Sequence, residues 1–238
     1  MKRSQPFSEP DTLSPSFHHR LNLYALAATA AGVGVLALAQ PAAAKIIYKR
    51  IHKQMGPHHV LPLDLNGDGQ VDFKLNDKFS CTSFCEYMEG SITIVPTRQA
   101  NEIVGHAGHS FHSASALAHG VRIGPRSPFS AGEKALAWGG YDAGTQGPGY
   151  CGGPWVNATD RYLGLRFTIA GKIHYGWARL NETCNSTNGE NSAVLTGYAF
   201  ESEPNRRIIA GDTKGPTAAP PTTLGKLALG AALSVRAE

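Results

Sequence analysis

The stretch Tyr162-Leu163-Gly164-Leu165-Arg166-Phe167-Thr168-Ile169-Ala170-Gly171-Lys172-Ile173-His174-Tyr175-Gly176-Trp177-Ala178 decides the fold. Leu163, Leu165, Phe167 and Ile169 alternate with Tyr162, Gly164, Arg166 and Thr168, the two-residue period of a strand. Ala170-Gly171-Lys172 can turn the chain. Ile173, Tyr175 and Trp177 then alternate with His174, Gly176 and Ala178. The pattern predicts a β-hairpin with one buried face. Outward from it, residues 181–192 read as a polar loop and 194–200 as a third strand returning beside the pair. Pro204-Asn205 breaks that strand, and 208–210 can form a last short one. Before the hairpin, residues 60–63, 71–75, 91–95, 121–123 and 134–138 read as short strands, the third stopped by Pro96. Helical periodicity is absent from any long segment after residue 44; residues 114–118 suffice for a single turn. Abundant glycine (27) and proline (15) favour turns over helices. The expected fold is an all-β, antiparallel β-sandwich, jelly-roll or lectin-like, over residues 56–211, with disordered N- and C-terminal segments.

The flanks point to export. Residues 23–39 are apolar and follow Lys2, Arg3 and Arg20, while Ala42 and Ala44 place small side chains before a cut after Ala44. Residues 1–44 therefore read as a secretory signal peptide, with an uncleaved anchor as the alternative. Residues 45–55 read as a linker, or else a leading strand. Residues 212–238 read as a Pro/Thr/Ala-rich linker and tail, whose apolar part (224–235) contains Lys226 and is too short to span a bilayer. No stable transmembrane anchor is expected in the mature form. The net charge of +4 is mild and scattered, which excludes nucleic acid as an expected partner. Cys81, Cys85, Cys151 and Cys184 are even in number and, in an oxidising compartment, predict two disulfides with all three pairings open. Zinc at Cys81 and Cys85 is the alternative, although Cys151 and Cys184 form no second ligand pair.

Asp64-Leu65-Asn66-Gly67-Asp68-Gly69-Gln70-Val71-Asp72 is the most specific motif. Side-chain oxygens at loop positions 1, 3 and 5, with glycine at 6, fold around a hard cation. Gln70 supplies its carbonyl at position 7, and Asp72 sits at position 9. These five residues, Asp64, Asn66, Asp68, Gln70 and Asp72, are the candidate ligands for a structural Ca²⁺. Leu75 at position 12 replaces the bidentate glutamate of a full EF-hand, which predicts weak affinity, roughly 10⁻⁴–10⁻³ M. The alternative is an ion-free Asx/Gly turn. The motif resembles the short Asp-x-Asn-x-Asp-Gly loops of dockerins, integrin-like repeats and other extracellular modules, a resemblance that implies a structural ion.

Other constellations are weaker. His106, His109 and His112, with His119 beyond, sit among glycines and serines and read as a surface loop before a metal site. Ser110 and Ser113 lack a nucleophile-elbow sequence. Glu86 and Glu89, and Glu201 and Glu203, read as solvated charge before a glycosidase pair. Among the aromatics Trp138, Trp155, Trp177, Tyr141 and Tyr150, Trp177 reads as core, and Trp155 as the exposed candidate for stacking on a sugar. Asn157, Asn181 and Asn185 open glycosylation sequons that matter in a eukaryotic secretory pathway. No catalytic signature emerges, so the chain is read as a non-enzyme.

Residues 162–180, 195–201 and 204–211 together resemble a C-terminal module of exported bacterial proteins of the PEP-CTERM sorting type, and 223–236 resemble a degenerate sorting segment without Pro-Glu-Pro. That resemblance implies a protein secreted from, or held at the surface of, a Gram-negative-type bacterium, with extracellular polysaccharide or cell-surface components as partners. The expected function is a calcium-binding β-sandwich with a structural, adhesive or extracellular-matrix role. A glycan-binding module is the alternative, and a secreted polysaccharide hydrolase a more distant one.

Overall fold

The computed structural model describes residues 45–107, 112–145 and 147–215. Residues 1–44, read above as a signal peptide, and residues 216–238 of the tail lie outside them. The strands in chain order are β1 (Ile46–Met55), β2 (Val60–Leu63), β3 (Phe73–Cys81), β4 (Tyr87–Pro96), β5 (Glu102–Ala107), β6 (His112–Ala114), β7 (Arg122–Ile123), β8 (Phe129–Ser130), β9 (Lys134–Asp142), β10 (Tyr150–Gly152), β11 (Arg161–Ile169), β12 (Lys172–Asn185), β13 (Glu190–Glu201) and β14 (Ile208–Ile209). Single 3₁₀ turns occur at Ser83–Cys85 and Ala143–Thr145.

The all-β expectation holds. Twelve strands form one sheet in the order β1-β13-β12-β11-β5-β6-β9-β4-β3-β2, with β10 beside β9 and β8 beside β5; β14 and β7 pair separately. The sheet is mixed, because β6 runs parallel to β9. It curls nearly into a barrel, and β12 and β13 thereby pack across from β9, while β13 also faces β4 and β3. Two layers thus come from one folded-over sheet, enclosing Phe73, Leu75, Ile92, Ile94, Leu136, Leu163, Leu165, Phe167, Leu180 and Leu195. Each such side chain contributes about 1.5–3 kcal/mol by leaving water.

The hairpin is β11–β12, in the register Leu165 opposite Gly176 and Ile169 opposite Lys172. Ala170 and Gly171 both take left-handed φ, 48° and 75°, as the favoured two-residue hairpin turn requires. The structure departs from the sequence reading in one respect: both faces are buried. Leu163, Leu165 and Phe167 enter the central core. Tyr162, Tyr175 and Trp177 enter a second cluster with Ile123, Ile208 and Ala210. The β7–β14 pair lays its isoleucines over the face that Tyr162, Gly164 and Arg166 share with Tyr175 and Trp177, and Tyr162 meets Trp177 edge to face at 5.2 Å.

Two segment readings are corrected. Of the two readings of residues 45–55 the leading strand holds and the linker does not: Ile46–Met55 form β1, with Ile46 opposite Glu201 and Met55 opposite Ala193. Met55 is buried, whereas Lys49, Arg50, His52 and Lys53 stay outside, which shields the sheet's open edge with charge. Residues 181–192 are no loop either, since β12 and β13 extend until only 186–189 turn the chain. Their polar side chains satisfy backbone groups: Asn191 Nδ2 donates to Gly90 O at 3.2 Å, and Asn181 Oδ1 accepts from Asp160 N at 2.8 Å. The cysteines pair Cys81–Cys85 and Cys151–Cys184, which removes the zinc alternative. The second bridge ties β10 to β12 across the layers.

Candidate functional site

The acidic loop joins β2 to β3 and folds around Asp64. One oxygen of Asp64 accepts from Gly67 N at 2.7 Å and the other from Gly69 N at 2.8 Å. Gly67 and Gly69 have φ of 74° and 81°, a conformation glycine adopts without strain. Asn66 Nδ2 donates to Asp68 Oδ2 at 3.0 Å, and Asp68 Oδ1 accepts from Gln70 N at 2.8 Å. These Asx-type bonds curl the segment into a tight turn by themselves. Leu65 is buried beneath the loop and pins it to the core.

Asp72 closes the base. Its Oδ2 accepts from Leu65 N at 3.0 Å, and its own N–H donates to Leu63 O at 2.9 Å. Its carbonyl receives Thr97 N and Asn101 Nδ2. Burial pushes the Asp72 carboxyl up to about 6, and the charges of Asp64 and Asp68 push the same way, against the Leu65 N–H and Arg98. Three carboxylates thus lie within electrostatic reach of one another. The neighbouring cation, Arg98, donates to the Gln70 side chain. Asp68 is pulled below its ordinary value, first by the Asn66 amide and then by the Gln70 N–H. Among the described residues no three of His, Cys, Asp and Glu form a cluster shaped to hold a metal. The loop's oxygen donors come equally from Asn66 and the backbone, as suits a hard cation.

The other candidates scatter. His106 and His112 lie on the paired strands β5 and β6, which corrects the surface-loop reading at these two positions, with Ser113 opposite His106 and Ala107 opposite His112; His109 and Ser110 lie outside the described residues. His119 packs against Tyr162 instead. Glu86 and Glu89 are exposed, as read from the sequence. Glu201 is not: only 1% of it is accessible, and its Oε1 accepts from Glu203 N at 3.1 Å. Trp155 is the larger correction. It is fully buried in the central core, with Nε1 donating to Ala114 O at 3.0 Å, so it offers no ring to a ligand. Trp177 is core, as expected. Asn157 and Asn185 spend their amide oxygens on Cys184 N and Thr187 N.

Sequence reasoning passed over two buried carboxyls and the surroundings of two aromatics. Glu182 and Asp77 are buried and pushed up to about 7 and about 6; the alternation of β12 and of β3 carries them inward, a signal that needs the strand boundaries first. Trp138 and Tyr150 share the outer face of one ribbon with Glu89. The chain matches no family model, no curated protein and no solved structure.

Proposed function

We propose that the chain is a secreted or cell-surface calcium-binding β-protein with a structural, adhesive or extracellular-matrix role. The observation that carries it is the loop at residues 64–72. Asp64, Asp68 and the buried Asp72 carboxyl crowd like charges together, and a divalent cation shared among them relieves that repulsion. Asp64, Asn66 and Asp68 supply side-chain oxygens, Gln70 its carbonyl, and Asp72 either a direct or a water-mediated contact. A lone ion here is structural. It fastens the β2–β3 connection to the core through Leu65 and to the β4–β5 turn through Asp72 and Thr97. Two disulfides fit an oxidising compartment. The resemblance of residues 162–180, 195–201 and 204–211 to exported bacterial proteins of the PEP-CTERM type supports the same location.

Calcium titration with thermal melting tests this reading. An ion bound only by the folded state adds about 2.7 kcal/mol at a hundredfold excess over Kd, which raises the Tm. Asp68→Ala should leave the calcium-free melt nearly unchanged and abolish the shift. Identical melts of the wild type in millimolar calcium and in EDTA would reduce the loop to a turn.

A further inference from the structure

The ribbon β3–β4–β9–β10 carries a second feature, at the far end of β3 from the acidic loop. Its register aligns Lys78, Ser91, Trp138 and Gly152 in one row and Ser80, Glu89, Gly140 and Tyr150 in another. The rows are two residues apart on each strand, so both point to the same face. The intervening row, Phe79, Gly90, Gly139 and Cys151, points to the opposite face. There Gly90 and Gly139 lie against Gly189 of the β12–β13 turn, and Cys151 is bonded to Cys184. The outer face is therefore backed by packed main chain and a disulfide.

Two rings lie on that face in a reciprocal arrangement. A Cβ placed on Gly152 would sit 2.4 Å from Trp138 Nε1, and one on Gly140 would sit 2.7 Å from the Tyr150 ring. Each strand thus supplies one ring and one glycine, and each ring lies down over the other strand's glycine. Tyr150 is 48% exposed, and Trp138 is part-exposed. Tyr87, also exposed, donates to Glu89 Oε1 at 2.6 Å and has Tyr150 as a neighbour. The surface encloses a groove of about 500 Å³, lined by Trp138, Tyr150, Ser80, Ser91, Glu89 and Lys78. Ring faces that lie along a sheet accept the C–H faces of sugar rings, while hydroxyls and a carboxylate at their edge meet sugar hydroxyls. Lys78 is already paired with Glu133 at 2.5 Å, which leaves Glu89 to set the local charge. That charge repels anionic polymers.

We propose that this face binds a neutral, hydroxyl-rich polysaccharide chain stacked on Trp138 and Tyr150. It deepens the adhesive role proposed above but stands apart from calcium, because the groove lies roughly 20 Å along β3 from the acidic loop.

The chain has three tryptophans, and Trp155 and Trp177 are buried. Acrylamide quenching of the native protein therefore reports chiefly on Trp138. The probes are hydroxyethylcellulose, laminarin, xylan and mannan, with alginate as the anionic comparator, and affinity electrophoresis in the same polymers gives binding. At least one neutral polymer should retard the protein and protect its fluorescence saturably, whereas alginate should do neither. Trp138→Phe should remove the fluorescence protection. Tyr150→Ala, checked for an intact melt, should weaken retardation about tenfold or more. Asp68→Ala should bind as the wild type does, so a failed calcium reading leaves this one standing. The proposal is overturned if no neutral polymer retards or protects the protein, if alginate alone binds, or if protection survives in Trp138→Phe.

Discussion

Glu182 should contribute a loss of stability as the solution becomes less acidic. Its side chain is buried on β12 with 3% accessible. Asn157 N donates to its Oε2 at 2.8 Å, while its Oε1 has no hydrogen-bond partner among the described residues. Burial raises its carboxyl from 4.5 to about 7, and the Asn157 N–H offsets only part of that. Below about pH 4.5 the group is protonated in both folded and unfolded chains and is neutral in the balance. As the pH rises toward 7, the unfolded chain has released its proton and the folded one still holds it. Folding stability then declines, and it levels off above the folded value. The gap sets a loss of at most about 3 kcal/mol between pH 4.5 and 8. Asp77, raised from 3.8 to about 6 by burial and by Glu190, adds a smaller loss of the same sign. Glu182→Gln mimics the protonated acid and isolates its share. The variant should match the wild type near pH 4.5 and exceed it by about 2–3 kcal/mol at pH 8. Urea unfolding at constant ionic strength, repeated at each pH, measures both curves. Parallel curves for the two proteins would refute the argument.

Other substitutions probe the packing. Gly189 has φ of 69°, and a Cβ there would lie 2.2 Å from Gly140 N. Gly189→Ala should cost more than about 3 kcal/mol or prevent folding, whereas Gly120→Ala, at φ 87° in open space, should cost only about 1–2 kcal/mol; chemical denaturation separates the two. The bridges should differ by the chain they enclose. With a separation of 33 residues, replacing Cys151 and Cys184 by serine should cost about 4 kcal/mol. With a separation of 4, replacing Cys81 and Cys85 should cost about 2 kcal/mol. Trp155→Ala should lose about 3–5 kcal/mol by emptying the core, and Trp155→Phe distinctly less, because it keeps most of the volume and gives up the bond to Ala114 O.

The β11–β12 hairpin was legible because its signals are local: alternation along each arm, and a two-residue turn with glycine. Residues 60–63 and 208–209 were legible for the same reason. The second buried face of that hairpin was not, because its cover, β7 and β14, is two residues wide in each strand. The ends of β12 and β13 were hidden by their polarity; Glu182, Asn191 and Cys184 look like loop residues until the layer across from them is known. Trp155 shows the converse: a Cys-Gly-Gly-Pro-Trp sequence has the composition of a surface loop, yet the chain there dives beneath β9 and inserts the indole. In the acidic loop, spacing alone placed Asp64, Asn66 and Asp68, since they bond to main chain within five residues. The burial of Asp72 was illegible, because Thr97 and Asn101 close over it from a distant turn.

The chain's first described strand pairs with its last long one: β1 lies against β13, and Lys45 N reaches Ser202 Oγ across 157 positions of sequence. A growing chain therefore cannot finish this sheet until nearly the whole domain has been synthesised. Until then β1 has nowhere to dock. Contacts this distant in sequence form slowly, so closing β1 onto β13 is a late step of folding. The same delay leaves strand edges bare for longest in the half-made molecule, where a holding chaperone is of most use.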